Sequence, residues 1–582
     1  MFAAIFNADR KPVDLAAMGL AVEHCQLLGS ARHVALLRSR APFAGRDRET
    51  SAIRQIGDAL WIVGRIRLDG RHESADDDAL FCLQAYARWG ESFLDHLAGD
   101  FCFVLWDGAR GRLIGARDQL GIRSLFHAHV GGTWVLGDSL DWIKSWRALS
   151  RELDDCWVAD FLTARRSLEF DRTIYREVRR LPPAHLVGIS DKGAETRRYW
   201  HLAIDEPLYL RDRRLYGERF RELTLRAVAD RLPASGRVGI SLSGGLDSTT
   251  LAASAVELRG DPATVVGLTF RTAHPAPDDE LSYAREAARH LGIELGESVI
   301  DDPAHAADWR AAALPAAEPD PGVLESAHAG RVAASQAAAA PVWLQGEGPD
   351  NALKFERGPY LSWLARQRRW GRLIEAGLLY ARAKGLHGWG PTWRRYLQPR
   401  SEPQRATGTL PAWLSDDFVR RLDLHHRAQA LRAQNPPAHP WHPWAMASFA
   451  DPIWQAVFAE CDVDEMRADF VWRHPFLDLR VLQFMLSLPP LPWTRRKLVI
   501  REAMRGRLPA AILARDKTPS AGDGPAPVGA PAPPLLMPDA MKRWIDLDRF
   551  AAARATGDVR ALVPILALDF WLASRPNGQA RG

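Results

Sequence analysis

The sequence predicts two fold classes in one chain: an antiparallel α+β domain over residues 1–205, then a doubly wound parallel α/β domain over residues 210–582. Three observations predict it. The chain has 582 residues, and single hydrophobic cores stop growing near ~250–300 residues. Its first third alternates short apolar runs with tight turns such as Asp69-Gly70 and Asp107-Gly108, the pattern of hairpins. The remainder alternates strand-like and helix-like patterns, which build a parallel sheet covered by helices.

In the first domain, residues 59–68 read as a strand running into Asp69-Gly70. A helix is expected from about Asp78 to Trp89. Residues 97–107 give a second strand, and 113–123 a third strand with its loop. In the second domain, residues 216–231 carry a helical period, 263–270 a strand, and Asp279-Glu280 open a helix with acids in its first turn, where the helix dipole favours them.

The stretch that organises the chain is Arg237-Val238-Gly239-Ile240-Ser241-Leu242-Ser243-Gly244-Gly245-Leu246-Asp247-Ser248. An apolar strand enters two glycines, and a helical pattern over 251–258 follows. Strand, glycine turn and helix N-terminus together hold phosphate: free backbone N–H groups and the positive end of the helix dipole face the anion. Leu242, Ser243, Gly244, Gly245, Leu246, Asp247 and Ser248 are therefore the candidate nucleotide loop. No Lys follows the glycines, so this is not a Walker A loop. Asp247 suits a magnesium ion beside the phosphates. The stretch resembles the pyrophosphate loop of the ATP pyrophosphatase superfamily, and that resemblance implies ATP cleaved between its α and β phosphates.

A second strand and glycine turn follows at Val342-Trp343-Leu344-Gln345-Gly346-Glu347-Gly348-Pro349-Asp350-Asn351. It is expected on the same sheet edge, so that Asp350 joins Asp247 as a metal ligand. Gly346 would line the nucleotide, and Glu347 is the candidate catalytic base. Residues 354–440 read as an Arg- and Trp-rich helical insert, largely solvated, with turns near Gly388 and Asn435. Then Arg473-His474-Pro475-Phe476-Leu477-Asp478 leads a helix, 496–504 forms another containing Lys497, and Arg515-Asp516-Lys517 precedes a Pro/Ala/Gly-rich loop over 520–538. Lys497 faces either phosphate or solvent.

These landmarks resemble the asparagine-synthetase-like family. Residues 99–107 and Ala116-Arg117-Asp118-Gln119-Leu120-Gly121-Ile122-Arg123 look like its N-terminal, glutaminase-type (Ntn) domain. The resemblance implies that Lys517 contacts phosphate during adenylation and that Glu347 lies near the acyl-adenylate. This sequence departs from the family at the nucleophile: Phe2 stands where a Cys follows the initiator Met, and Phe has no nucleophilic atom. Val63-Gly64-Arg65 replaces an Asn-Gly-Glu strand. The expected function is an AMP-forming carbon–nitrogen ligase using ATP and Mg2+ with a silent glutaminase domain. The loop at 346–351 and the run at 473–478 look most like lasso-peptide cyclases, implying a precursor core peptide as substrate, with a leader peptidase and leader-recognition protein as partners. An ammonia-dependent asparagine synthetase, a β-lactam-synthetase-like cyclase and a non-catalytic nucleotide-binding scaffold are the alternatives.

The bulk numbers exclude little else. Basic and acidic residues number 76 and 71, for a net charge of +5, so no nucleic-acid surface is expected. Five Cys form no CxxC pair, which predicts neither disulfides nor zinc and a reducing, cytoplasmic setting. No signal peptide or membrane span is expected.

Overall fold

The structure is a computed structural model and describes residues 1–19, 25–28, 32–39, 52–57, 59–71, 75–271, 279–299, 309–384, 410–434, 438–515, 532–555 and 559–575. Twelve strands come first: β1 (Phe2–Asn7), β2 (Cys25–Leu28), β3 (Val34–Ser39), β4 (Ala52–Ile56), β5 (Leu60–Leu68), β6 (Gly99–Asp107), β7 (Arg112–Arg117), β8 (Phe126–Val130), β9 (Thr133–Gly137), β10 (Val178–Arg180), β11 (His185–Ser190) and β12 (Gly193–Arg198). They make two antiparallel sheets, ordered β10-β8-β9-β1-β3-β2 and β12-β11-β7-β6-β5-β4.

Period-two alternation explains the layering. On β6, Phe101, Phe103 and Leu105 face helix α1 (Ala75–Trp89), packing with its Cys82, Leu83 and Tyr86. Cys102, Val104 and Trp106 point the other way, onto Phe2, Ala4 and Phe6 of β1. The alternate β1 residue Ile5 faces outward with Phe126 and Val135, onto Trp157 and Phe161 of α2 (Asp155–Ala164) and onto Leu566 and Trp571 of the C-terminal helix Val559–Ala573. The result is four layers, helix–sheet–sheet–helix. The outermost layer is shared with residues more than two hundred positions away, including Trp413, Phe418 and Trp544.

The run Arg117-Asp118 proves to be scaffolding. Arg117 is fully buried and donates to the carbonyls of Arg123, Gly121 and Leu181 at 2.6–2.8 Å. Asp118 accepts the N–H groups of Leu120, Ile122 and Arg123. Burial lowers the Arg117 guanidinium to about 10 and raises the Asp118 carboxyl to about 6.

After α3 (Arg214–Ala229) comes a five-stranded parallel sheet of β13 (Val238–Ser241), β14 (Val265–Arg271), β15 (Glu294–Val299), β16 (Val342–Leu344) and β17 (Val471–Arg473), ordered β15-β14-β13-β16-β17. Helices α3, α4 (Leu246–Arg259) and α5 (Asp279–Leu291) cover one face with the later segments 481–488 and 499–512. Helices α6 (Ser326–Ala339) and α7 (Ile453–Arg467) cover the other. Gly239 is required by packing: a Cβ there would lie 2.2 Å from the Trp343 ring. Among the described residues no helix is long and apolar enough to cross a membrane.

Several expectations are corrected. The run at 473–478 leads into the expected helix, Leu479–Ser487, but its first residue, Arg473, also ends a strand, β17, whose three residues are too few to show a period. β15 was not anticipated, because ELGESV is a polar edge strand. The helix expected over 496–504 starts at Leu498, because Arg496 and Lys497 take φ of 51° and 53°. The insert is not simply solvated: Trp413, Phe418 and Leu424 pack on the N-terminal sandwich, and Arg427 pairs with Asp160 at 2.9 Å. The turn near Gly388 and most of the loop at 520–538 lie outside the described residues.

A buried ionic network joins the two halves. Arg231, 1% exposed, reaches Asp69 at 3.2 Å, Asp100 at 3.6 Å and Asp478 at 3.0 Å. Arg67 closes the N-terminal side against Asp69 and Asp100, and Arg480 the other against Asp478.

Candidate active site

The sheet order places the site. β13 has its sequence successor β14 on one side and β16 on the other. The chain therefore reverses direction of winding between β13 and β16. In open α/β sheets ligands bind at such a switch point, outside the carboxyl ends of the strands. The segments leaving β13 and β16 there are 242–248 and 345–350.

The first segment is held open by its own hydrogen bonds. Ser243 N–H donates to Ser248 Oγ at 3.3 Å, and Gly245 N–H to Ser243 Oγ at 3.3 Å. Gly244 has φ of 65°, and a Cβ there would lie 2.5 Å from the amide nitrogen of Ala284 on α5. Only glycine permits that approach. Gly245 caps α4 without a side-chain hydrogen bond. The first amides of α4, from Leu246 to Ser248, thus lie at the positive end of a helix whose first internal bond runs from Thr249 N–H to the Gly245 carbonyl. That end suits an anion. Leu242 is buried and anchors the segment through its N–H to the Leu268 carbonyl at 2.8 Å.

The second segment brings Gly346 against Asp247: a Cβ on Gly346 would touch Asp247 Cβ at 3.4 Å. Gly348, with φ of 123°, turns the chain over Phe476 and Leu477 and sets Asp350 on the next turn. Asp247 and Asp350 converge on one cation, Lys497 Nζ, which contacts Asp247 Oδ2 and lies 2.6 Å from Asp350 Oδ1. Burial works against the Lys497 charge, yet Asp247 and then Asp350 hold the ammonium above its ordinary range. Lys497 thus sits between the two loops, not on a solvated helix face. Two hard carboxylate oxygens that already close on a single positive centre fit a divalent cation such as Mg2+.

Arg515 was not singled out in the sequence. Its Nη1 lies 3.4 Å from the Ser243 carbonyl, its guanidinium stacks over Tyr283 at 4.6 Å, and Glu280 lies 3.5 Å from Nη2. Its neighbour Lys517 lies outside the described residues. Glu347 is exposed on the loop, and its charge reaches a group of acids around Glu460. Glu460 on α7 reaches solvent and is pushed up to about 7, first by burial, then by Asp320, Asp464, Glu325 and Glu347. The signal was present as two like charges one helical turn apart, Glu460 and Asp464, an arrangement that costs helix stability.

Among its described residues the N-terminal half presents no matching chemistry. Phe2 is fully buried in the sandwich, with its N–H donating to Asp138 at 2.7 Å. Burial drives the Cys82 and Cys102 thiols far above their ordinary range, so neither supplies a thiolate. Arg65 turns toward α7, 3.2 Å from Glu465 and 3.9 Å from Asp462.

Comparison with known proteins shows which family the chain is similar to. Residues 219–545, more than half of the chain, match the asparagine synthase family, and residues 64–200 match a glutamine amidotransferase domain. The chain is 29% identical over 287 residues to Amidase chyE of Penicillium rubens, covering 47% of this chain and 42% of that protein. It is 28% identical over 190 residues to asparagine synthetase [glutamine-hydrolyzing] 3 of Bacillus subtilis, covering 33% and 31%. A putative asparagine synthetase [glutamine-hydrolyzing] of Mycobacterium bovis is 30% identical over 250 residues, covering 42% and 36%. The matched regions span less than half of each of these relatives.

Proposed function

The chain belongs to the asparagine synthase family, and from that premise we propose that it is an ATP-dependent ligase that activates a carboxylate as an acyl-adenylate and joins it to an amine. The observation that carries this reading is the convergence of Asp247, Asp350 and Lys497 at the switch point beside the free end of α4. In the first step a substrate carboxylate oxygen bonds to the α-phosphorus of ATP and the bond to pyrophosphate breaks. In the second the amine nitrogen bonds to the acyl carbon, AMP leaves, and the nitrogen loses a proton. Asp247 and Asp350 would hold Mg2+, which supplies charge neutralisation on the phosphates when bound. The amides of 246–248 with Gly346 seat the oxygens, and Lys497 and Arg515 bring positive charge to the departing pyrophosphate. Lys517 is assigned the same role. Glu347 is assigned as the base.

The source of the amine follows from the N-terminal half. With Phe2 buried and the described thiols inert, glutamine is not the donor. We assign the amine to the substrate itself, a ribosomal peptide whose N-terminal amine closes onto an Asp or Glu side chain in a macrolactam. A leader peptidase and a leader-recognition protein would expose that amine. The exposed stripe Trp370, Ile374 and Leu378, 58–66% accessible, is consistent with an apolar peptide substrate. Amidation of free aspartate by ammonia is the second reading, favoured by the names of the relatives. Mass spectrometry of a candidate core peptide with peptidase, enzyme and ATP·Mg separates the two. The first predicts loss of one water, about 18 Da, in step with AMP. Asparagine formed from aspartate and ammonia, with no peptide product, would replace it.

A further inference from the structure

We propose that Lys497 is a resident counter-ion that keeps a divalent metal out of the Asp247/Asp350 pair until nucleotide arrives, so that the metal enters with the phosphates and not before them. This rests on the ATP reading of the site and adds an order of binding to it. Lys497 Nζ touches Asp247 Oδ2 and lies 2.6 Å from Asp350 Oδ1. A magnesium ion bonds such oxygens at about 2.0–2.1 Å, so ammonium and metal cannot share them without two positive charges in contact. The Lys497 and Asp247 side chains are 17% and 16% exposed and Asp350 46%, so solvent screens the conflict little on the Asp247 side.

The turn that carries Lys497 is strained. Arg496 and Lys497 are consecutive non-glycine residues in the left-handed region, at φ of 51° and 53°, each costing of order 1 kcal/mol. The same turn is tied to the segment bearing Arg515: Arg496 Nη2 donates to the Ala514 carbonyl at 2.8 Å, while Arg501 donates to the Arg496 carbonyl at 2.6 Å and the Arg515 carbonyl at 2.7 Å. Lys497 and Arg515 therefore ride on one rigid unit at the mouth of the phosphate loop. Phosphate oxygens entering beneath it offer Lys497 a second set of acceptors, and the two carboxylates are released to the metal that arrives with them.

The test is Mn2+ binding by the full chain, read by electron paramagnetic resonance of the free ion. Wild type, Lys497→Met and Lys497→Gly are titrated without nucleotide; the Gly variant also relieves the positive φ, so a folding defect in one does not decide the result. Both variants are expected to bind one Mn2+ at least roughly tenfold more tightly than wild type, and Asp247→Asn in the same background abolishes the gain. Equal binding by wild type and both variants, or a gain that survives Asp247→Asn, overturns the proposal. A parallel titration with a non-cleavable ATP analogue is expected to bring one Mn2+ to wild type. Its failure would count against the ATP reading, while the nucleotide-free comparison still decides the role of Lys497.

Discussion

At the scale of single residues, the candidate site rests on two carboxylates that share one ammonium. Asp247 and Asp350 each follow a strand and a glycine turn, and the structure sets both against Lys497. Removing either carboxylate leaves phosphate charge uncompensated. Asp247→Asn and Asp350→Asn are each expected to lower turnover by ~100-fold or more, and AMP release per enzyme checks this. Arg515 and Glu460 were not legible, because one Arg among 76 basic residues carries no spacing signal and the acids that act on Glu460 come from distant segments. His474 gives a prediction of another kind. It is buried, its Nδ1 lacks a partner among the described residues, and burial, with Arg123, Arg231 and Arg67, depresses it to about 4 despite the nearby Asp100. Above pH 6.5 it is neutral in both folded and unfolded chains. As pH falls from 6.5 toward 4, only the unfolded chain takes the proton, so stability falls by up to about 3 kcal/mol. Denaturant midpoints across that range should decline less steeply in His474→Gln; identical slopes would remove His474 from the account.

At the scale of elements, the strands and helices flanking glycine turns were readable from period alone, whereas short edge strands were not. β17 has three residues and β15 carries only Leu295 and Val299 as apolar side chains, two residues either side of Glu297, so neither offers a long apolar pattern to read. The turn before Leu498 was hidden for a different reason: no glycine marks the positive φ of Arg496 and Lys497. The run at 473–478 was prominent in sequence, and the structure shows why it must be kept without giving it chemistry. Asp478 caps the helix Leu479–Ser487 through the Arg480 N–H at 2.9 Å and holds Arg231 at 3.0 Å. Arg231→Met would leave Asp69, Asp100 and Asp478 buried without their shared cation. It is expected to destabilise the protein by about 3–5 kcal/mol, read as a lower urea midpoint with an unchanged m-value. A change below about 0.5 kcal/mol would show that the network carries no net stability.

At the scale of the molecule, a division of the chain near residue 205 describes the order of the sequence better than the order of the cores. The outer face of the β10-β8-β9-β1-β3-β2 sheet is covered by Trp413, Phe418, Trp544 and the helix Val559–Ala573 as well as by α2. Sequence periodicity shows that a helix has an apolar face but not which distant sheet receives it, and this is why the layer was missed. Two halves sharing one apolar layer and one buried ionic network should unfold together. Calorimetry is expected to give one cooperative transition, and ending the chain at residue 531 should leave the sandwich exposed and aggregation-prone. Two well-separated transitions would show that the halves are independent.

The most direct test of the central claim follows the fate of ATP by phosphorus NMR while the full chain forms an amide on a core peptide. The account predicts AMP and pyrophosphate in equal amounts, in step with the amide, and their loss together in Asp247→Asn. ADP and inorganic phosphate, or AMP formed at the wild-type rate by Asp247→Asn, would contradict it.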